Sequence, residues 1–151
     1  MTKKPVYIWD EDTRKATCII EDEQGRKFIG EAIAHEADID FTSEKTGMTI
    51  AVSRAAVKYL QSVKRDVIKP QLAALNQLYY SMKHSKKFNP KSYENRMLQR
   101  QIQIKKDDLI EINREIQKHR DFLHQYINDK ETFYQLMRKK RAAQEPLDKN
   151  K

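Results

Sequence analysis

The sequence predicts an α+β protein, a small antiparallel β-meander followed by a proline-kinked helix and a long helix or helical hairpin. Three observations carry that prediction. Short runs of β-branched and aromatic residues separated by polar turns are confined to the first 33 residues. After residue 41 the apolar residues recur at intervals of 3 and 4 instead. Beyond Gly47 there is no glycine at all, and no proline lies between Pro90 and Pro146, so nothing punctuates a long helical stretch.

Val6-Tyr7-Ile8-Trp9 is the first strand, closed by the polar turn Asp10-Glu11-Asp12-Thr13. Ala16-Thr17-Cys18-Ile19-Ile20 is the second. Asp22-Glu23-Gln24-Gly25 places Asp where a type I turn begins and Gly where a left-handed residue is needed, which predicts a hairpin into a third strand over Lys27–Ile33. The strands do not alternate cleanly, so both faces of the sheet want cover, one from a helix and the other from a second subunit.

After an acidic connector, Glu36 to Asp40, Thr42 or Ser43 is suited to cap a helix whose apolar stripe is Ala56, Leu60, Val63 and Val67. Pro70 predicts a break or kink near Ile68-Lys69, after which Leu72, Leu75, Tyr79 and Met82 resume the stripe. Asn89-Pro90 reads as the start of the last helix. Its seam is Leu98, Ile102, Leu109, Ile112, Ile116, Leu123, Tyr126, Phe133 and Met137, interrupted by Lys105, His119 and Lys130. A continuous helix over 90–141 would be about 78 Å long at 1.5 Å per residue, too long for a compact monomer. It therefore folds back on itself or reaches another copy. One domain over 1–151 is expected, made of meander and connector (1–41), kinked helix (42–84), long helix or hairpin (89–143) and a frayed polar tail (144–151).

The composition narrows the chemistry. With 3 glycines, at 25, 30 and 47, no glycine-rich phosphate loop can be written. Cys18 has no partner for an internal disulfide, which suits a reduced intracellular setting, and no Cys/His spacing suits zinc. No run is long and apolar enough to span a membrane, and the N-terminus lacks a signal-peptide core. His35, Glu36, Asp38, Asp40 and Glu44 lack the spacing of a calcium loop, so the connector is expected to be solvated and no metal or other cofactor is predicted. The four histidines form no recognisable nucleophile arrangement, and an enzyme is not expected.

The formal net charge of +8 is unevenly placed. Residues 1–44 carry 6 basic and 11 acidic residues, whereas residues 83–106 carry 8 basic residues against Glu94 alone. The stretch from Tyr79 to Arg100 interleaves aromatic rings with lysines, arginines and asparagines. Rings stack on bases, Arg and Lys neutralise phosphates, and Asn hydrogen-bonds a base edge or a ribose hydroxyl. Tyr79, Tyr80, Lys87, Phe88, Asn89, Tyr93, Asn95, Arg96 and Arg100 are the candidate ligand-binding residues, with the free amides of a helix starting at Pro90 as further anion donors. The competing reading is that the rings staple a helix corner and the lysines are merely solvated.

Two stretches carry a resemblance, Phe28-Ile29-Gly30-Glu31-Ala32 through Ser43-Glu44-Lys45-Thr46-Gly47-Met48-Thr49-Ile50-Ala51, and Leu78-Tyr79-Tyr80-Ser81-Met82 through Asn89-Pro90-Lys91-Ser92-Tyr93-Glu94-Asn95. They resemble small proteins of phages and prophages of low-GC Gram-positive bacteria. Within that group the order of sheet and long helices is similar to the Thoeris anti-defence sponge proteins. The resemblance, over roughly residues 16 to 100, implies non-catalytic binding of cyclic ADP-ribose isomers or cyclic oligonucleotides, hiding them from immune effectors in the host bacterial cytoplasm. The expected partners are thus a small nucleotide signal and further copies of the chain, with no membrane. Two other functions fit the same residues: a nucleic-acid-binding phage protein using the basic surface, or an inhibitor that grips a host defence protein through its helices.

Overall fold

The computed structural model describes residues 3–85 and 87–149. The three strands form as the turn signals dictate: β1 (Val6–Asp10), β2 (Lys15–Glu21) and β3 (Lys27–Ile33), all antiparallel in the order β1-β2-β3. A single 3-10 turn (Glu36–Asp38) leads to α1 (Glu44–Val63), a π-helical turn (Lys64–Ile68), α2 (Lys69–Lys83) and α3 (Tyr93–Lys149). The chain divides into two compact units, Met1–Tyr59 with Lys118–Lys151, and Leu60–Gln117.

In the first unit the hairpin between β2 and β3 is built by Asp22. Its Oδ1 accepts the amides of Gln24 (3.0 Å) and Arg26 (2.9 Å), its Oδ2 accepts Arg26 Nε (2.8 Å), and Gly25 takes the left-handed conformation at φ +81°. Burial alone would push the Asp22 carboxyl up, but the hydrogen bonds from Arg26 and Gln24 outweigh it and hold it below the usual carboxylate range. One sheet face packs on α1. Ala16, Cys18 and Ala32 meet Ala51 and Ala55 in a core of small residues, flanked by Trp9, Ile20, Met48, Ile50 and Val52. The opposite face leaves Val6, Ile8, Ile29 and Ile33 exposed. The outer edge of β3 is covered, because Lys58 Nζ donates to the Ile29 carbonyl (2.6 Å) and Arg54 Nη1 to the Glu31 carbonyl (2.8 Å).

The stripe that α1 buries against the sheet differs from the expected one. Gly47, Ala51 and Ala55 face the strands, while Ala56, Leu60 and Val63 are half-buried and Val67 is exposed. The reason is distance. A Cβ on Gly30 would lie 2.1 Å from the Ala51 carbonyl oxygen and 2.4 Å from the Ala55 amide nitrogen, so the helix backbone rests directly on β3 and only small side chains fit between.

In the second unit the expected break or kink near Ile68-Lys69 takes the form of a local distortion, a π turn over Lys64–Ile68. The helix is not interrupted; instead the Lys69 amide donates to the Lys64 carbonyl, an i to i−5 bond that makes one π turn. Widening the turn just before Pro70 accommodates a residue with no amide to offer and a ring that crowds the preceding carbonyls. This unit buries Ile68 together with Leu98, Ile102, Ile112 and Ile116 of the first half of the expected seam, where Leu109 is half-buried. Farther along α3, in the first unit, Leu123, Tyr126 and Met137 are half-buried and Phe133 is exposed.

Of the two alternatives for the last stretch, a long helix or a helical hairpin, the long helix forms: α3 is one helix of 57 residues with a segment in each unit. Two expectations about the ends of this helix are revised. The helix starts at Tyr93 rather than Pro90, since Asn89 to Ser92 form a turn whose Ser92 Oγ accepts the Asn95 amide (3.3 Å). It also runs on to Lys149, through most of the expected frayed tail; Asn150 and Lys151, like Met1, Thr2 and Lys86, lie outside the described residues.

Gly30→Ala tests the close packing. The added methyl meets helix backbone rather than a movable side chain, so the cost should reach or exceed the roughly 1–3 kcal/mol typical of overpacking. Chemical denaturation of this variant beside Gly25→Ala, whose Cβ would lie 3.8 Å from Glu21 Oε1, checks it; the Gly30 variant should lose more stability.

Candidate functional site

The predicted corner lies in the second unit, between α2 and α3. The helix α2 ends as the His84 amide turns back to the Tyr80 carbonyl (3.3 Å), and successive turns follow through Ser85 and Phe88. Phe88 lies edge-on to Tyr79 with ring centroids 6.1 Å apart, and Gln99 Nε2 donates to Tyr79 Oη at 3.3 Å. Asn95 is the hub of the next turn. Its Nδ2 donates to the Asn89 carbonyl (2.6 Å) and to Ser92 Oγ (2.9 Å), and only 4% of the residue is exposed. Its Oδ1 is buried and, among the described residues, has no hydrogen-bond partner. Because the Asn89 carbonyl can only accept, the orientation of the amide is fixed and the orphan atom is the oxygen. Asn95, Met82, Ser85, Lys87 and Phe88 line a small cavity of about 120 Å³.

The structure thus brings Tyr79, Phe88, Asn89 and Asn95 together, with Lys87 beside the cavity. It places the other candidates elsewhere. Tyr80 is 64% exposed and packs edge-on against His84. Tyr93, Arg96 and Arg100 share one exposed face of α3, turned away from the buried stripe of Asn95, Leu98 and Ile102. Of the amides expected to meet an anion at the start of the helix, those of Lys91 and Ser92 are occupied, since Lys91 donates to Asn89 Oδ1 (3.0 Å) and Ser92 to the Asn89 carbonyl (3.1 Å).

The electrostatics of this unit are one-sided. Lys83, Lys87, Lys91, Arg96 and Arg100 are all exposed, and among the described residues none of them has a carboxylate partner; Lys105 is paired, at 3.8 Å from Asp108. The first unit behaves differently. There the acidic connector, expected to be solvated, is gripped by α3. Asp38 is 2% exposed and accepts Arg138 Nε (2.6 Å) and Nη2 (2.9 Å), and Asp40 accepts Arg141 Nη2 (2.7 Å). The hydrogen bonds to Asp38 raise the Arg138 pKa above its usual value, against the opposing effect of burial. Arg141 also lies over the Phe41 ring, 4.6 Å from its centroid, and Tyr134 Oη donates to Thr42 Oγ1 at 3.1 Å.

These contacts border a second cavity that the sequence did not suggest, of about 220 Å³, walled by the end of β3, the start of α1 and the Ile127–Tyr134 stretch of α3. Its partners stand about a hundred positions apart, so no local spacing signals it. Among the described residues no group of three or more His, Cys, Asp or Glu is placed to hold a metal ion. Cys18 is 1% exposed, and burial pushes its thiol pKa up, away from the reactive thiolate.

No family model, curated protein or solved structure matches this chain.

Asn95→Ala removes both ties to the 89–92 turn. Loss of these buried hydrogen bonds should cost about 1–3 kcal/mol, read from denaturation midpoints, while Tyr93→Ala, on the exposed face, should stay within about 0.5 kcal/mol of the parent.

Proposed function

We propose that this protein binds a small phosphate-bearing nucleotide without catalysis and so sequesters it, in the manner of the Thoeris anti-defence sponge proteins that its sequence resembles. The ligand class is a cyclic ADP-ribose isomer or a cyclic oligonucleotide, held in the cytoplasm of a phage-infected bacterium. The observation that carries the reading is a set of five exposed cations in the second unit, Lys83, Lys87, Lys91, Arg96 and Arg100, none with a carboxylate partner among the described residues; Lys87 lies beside the Tyr79–Phe88–Asn95 corner, and Arg96 and Arg100 lie with Tyr93 on the outer face of α3. Cations without internal partners are available to phosphate, and the neighbouring rings offer stacking surfaces.

One observation favours a second reading. Tyr93, Arg96 and Arg100 lie along an exposed helix face rather than inside a cavity, which suits a nucleic-acid backbone tracking along the helix as well as a compact ligand. Calorimetry with cyclic ADP-ribose isomers and cyclic oligonucleotides, beside a DNA titration at two salt concentrations, separates the two. For sequestration, Arg96→Ala or Arg100→Ala should weaken nucleotide binding roughly ten-fold to a hundred-fold, and Lys139→Ala should leave it unchanged. A DNA affinity that falls steeply with salt, with no nucleotide bound, would favour the second reading.

Self-association belongs to the same proposal. The open sheet face presents Val6, Ile8, Ile29 and Ile33, and a second copy would remove this apolar row from water. Sedimentation at micromolar concentration should show a dimer or larger species that Ile29→Asp shifts toward the monomer; a parent protein found only at 18.0 kDa would refute self-association.

A further inference from the structure

We infer that the first unit holds a separate binding pocket for a small phosphate ester, formed where α3 closes over the start of α1. The inference is independent of the corner in the second unit and of the sponge reading.

The argument begins with the charges that border the 220 Å³ cavity. Two carboxylates line it, Asp38 and Glu131, and both are committed to the same guanidinium. Arg138 meets Asp38 at 2.6 and 2.9 Å and Glu131 at 3.1 Å. Two cations line it as well, Arg54 and Lys130, and among the described residues neither has a carboxylate partner. Arg54 uses Nη1 on the Glu31 carbonyl, which anchors the group and leaves Nε and Nη2 to donate. Lys130 lies over the Tyr126 ring, 5.5 Å from its centroid, a contact that leaves its N–H donors unspent. Polar hydroxyls complete the wall. Thr42 accepts the Tyr134 proton through Oγ1, so its own hydroxyl proton remains to be donated.

The geometry of those donors chooses the anion. A planar carboxylate can satisfy both oxygens on one guanidinium and leave the second cation unmatched. A tetrahedral phosphate ester presents three non-bridging oxygens and up to two charges, which matches a guanidinium, an ammonium and a hydroxyl on different walls. Ile50 and Ile127 supply apolar surface for the esterified group. The volume sets its size. At about 220 Å³ the cavity falls below the roughly 300–1,000 Å³ of sites for drug-sized ligands, so it suits a phosphate on a pentose-sized group rather than a dinucleotide.

The test is isothermal titration of the full chain with ribose 5-phosphate, with inorganic phosphate and ribose titrated in parallel. Ribose 5-phosphate should bind one per chain, more tightly than inorganic phosphate, and ribose should not bind. Lys130→Gln should weaken binding at least ten-fold, and Arg96→Ala, in the other unit, should leave it unchanged. Because Arg54 also secures the edge of β3, Arg54→Lys is the second variant; it keeps the charge, loses the fork, and should weaken binding while the melting temperature reports any loss of fold. Absence of binding, equal affinity for inorganic phosphate, unchanged affinity in both Lys130→Gln and Arg54→Lys, or loss of binding in Arg96→Ala would each overturn the assignment.

Discussion

The close approach of α1 to β3 at Gly30 governs the first unit. Where a Cβ would stand 2.1 Å from the Ala51 carbonyl oxygen, the helix can sit only because that Cβ is missing. Everything that meets across this junction must therefore be small, and Ala16, Cys18, Ala32, Ala51 and Ala55 are. A shallow junction of this kind buries little apolar area per residue, so neighbouring bulk carries more of the stabilisation; Trp9, Ile20, Met48 and Val52 sit around it. The same proximity lets Arg54 and Lys58 reach over the edge of β3 to the Glu31 and Ile29 carbonyls. An edge that would otherwise invite another strand is closed by side chains from the helix it supports.

The second constraint on this unit is a long-range ion pair. Asp38 is almost wholly buried, and a carboxylate taken out of water needs a partner with good geometry. Arg138 supplies it bidentately from a position 100 residues away, with Arg141 and Tyr134 gripping the flanking residues Asp40 and Thr42. These bonds fix the helix face that carries Lys130 and Tyr134 against the start of α1. The cavity beside them is thus a by-product of two rigid attachments, one through glycine and one through arginine.

How much of this was legible in the sequence follows from which forces are local. The strands were readable because Asp10 and Asp22 write their turns within four residues, and the change to helical period after residue 41 was equally plain. The face of α1 was not. Periodicity weighs large apolar residues, and it selected Ala56, Leu60 and Val63, while the tight junction is made by Gly47, Ala51 and Ala55. The start of α3 was misplaced because Asn89-Pro90 has the composition of a helix cap. The capping residue is Ser92, and Asn89 serves a turn that Asn95 ties down from the next helical turn. The candidate corner was half legible: rings and asparagines that meet there were named, but the helical phase that turns Arg96 and Arg100 away from them depends on which stripe is buried. The pocket of the first unit was invisible because its walls are joined only by contacts remote in sequence.

The cavity of the first unit and the corner of the second surround themselves with positive charge in different ways. In the first, Arg138 and Arg141 are spent on the connector, and the two cations that line the cavity, Arg54 and Lys130, face a bounded space. Such a site selects by shape as well as charge, because a ligand must fit between apolar walls to reach both groups. In the second, Lys83, Lys87, Lys91, Arg96 and Arg100 have no carboxylate partner among the described residues and face water. A phosphate meeting one of them remains solvated, so each contact is weak alone and sensitive to salt, and affinity has to come from several contacts made at once or from a ring stacked beside them. The orphan oxygen of Asn95 is a buried acceptor with no partner among the described residues, and Asn95 lines the small cavity beside Phe88. Under the proposed nucleotide binding, a ligand hydroxyl or amino group that meets this acceptor would supply selectivity, and the exposed lysines and arginines of the unit would govern strength and speed of capture.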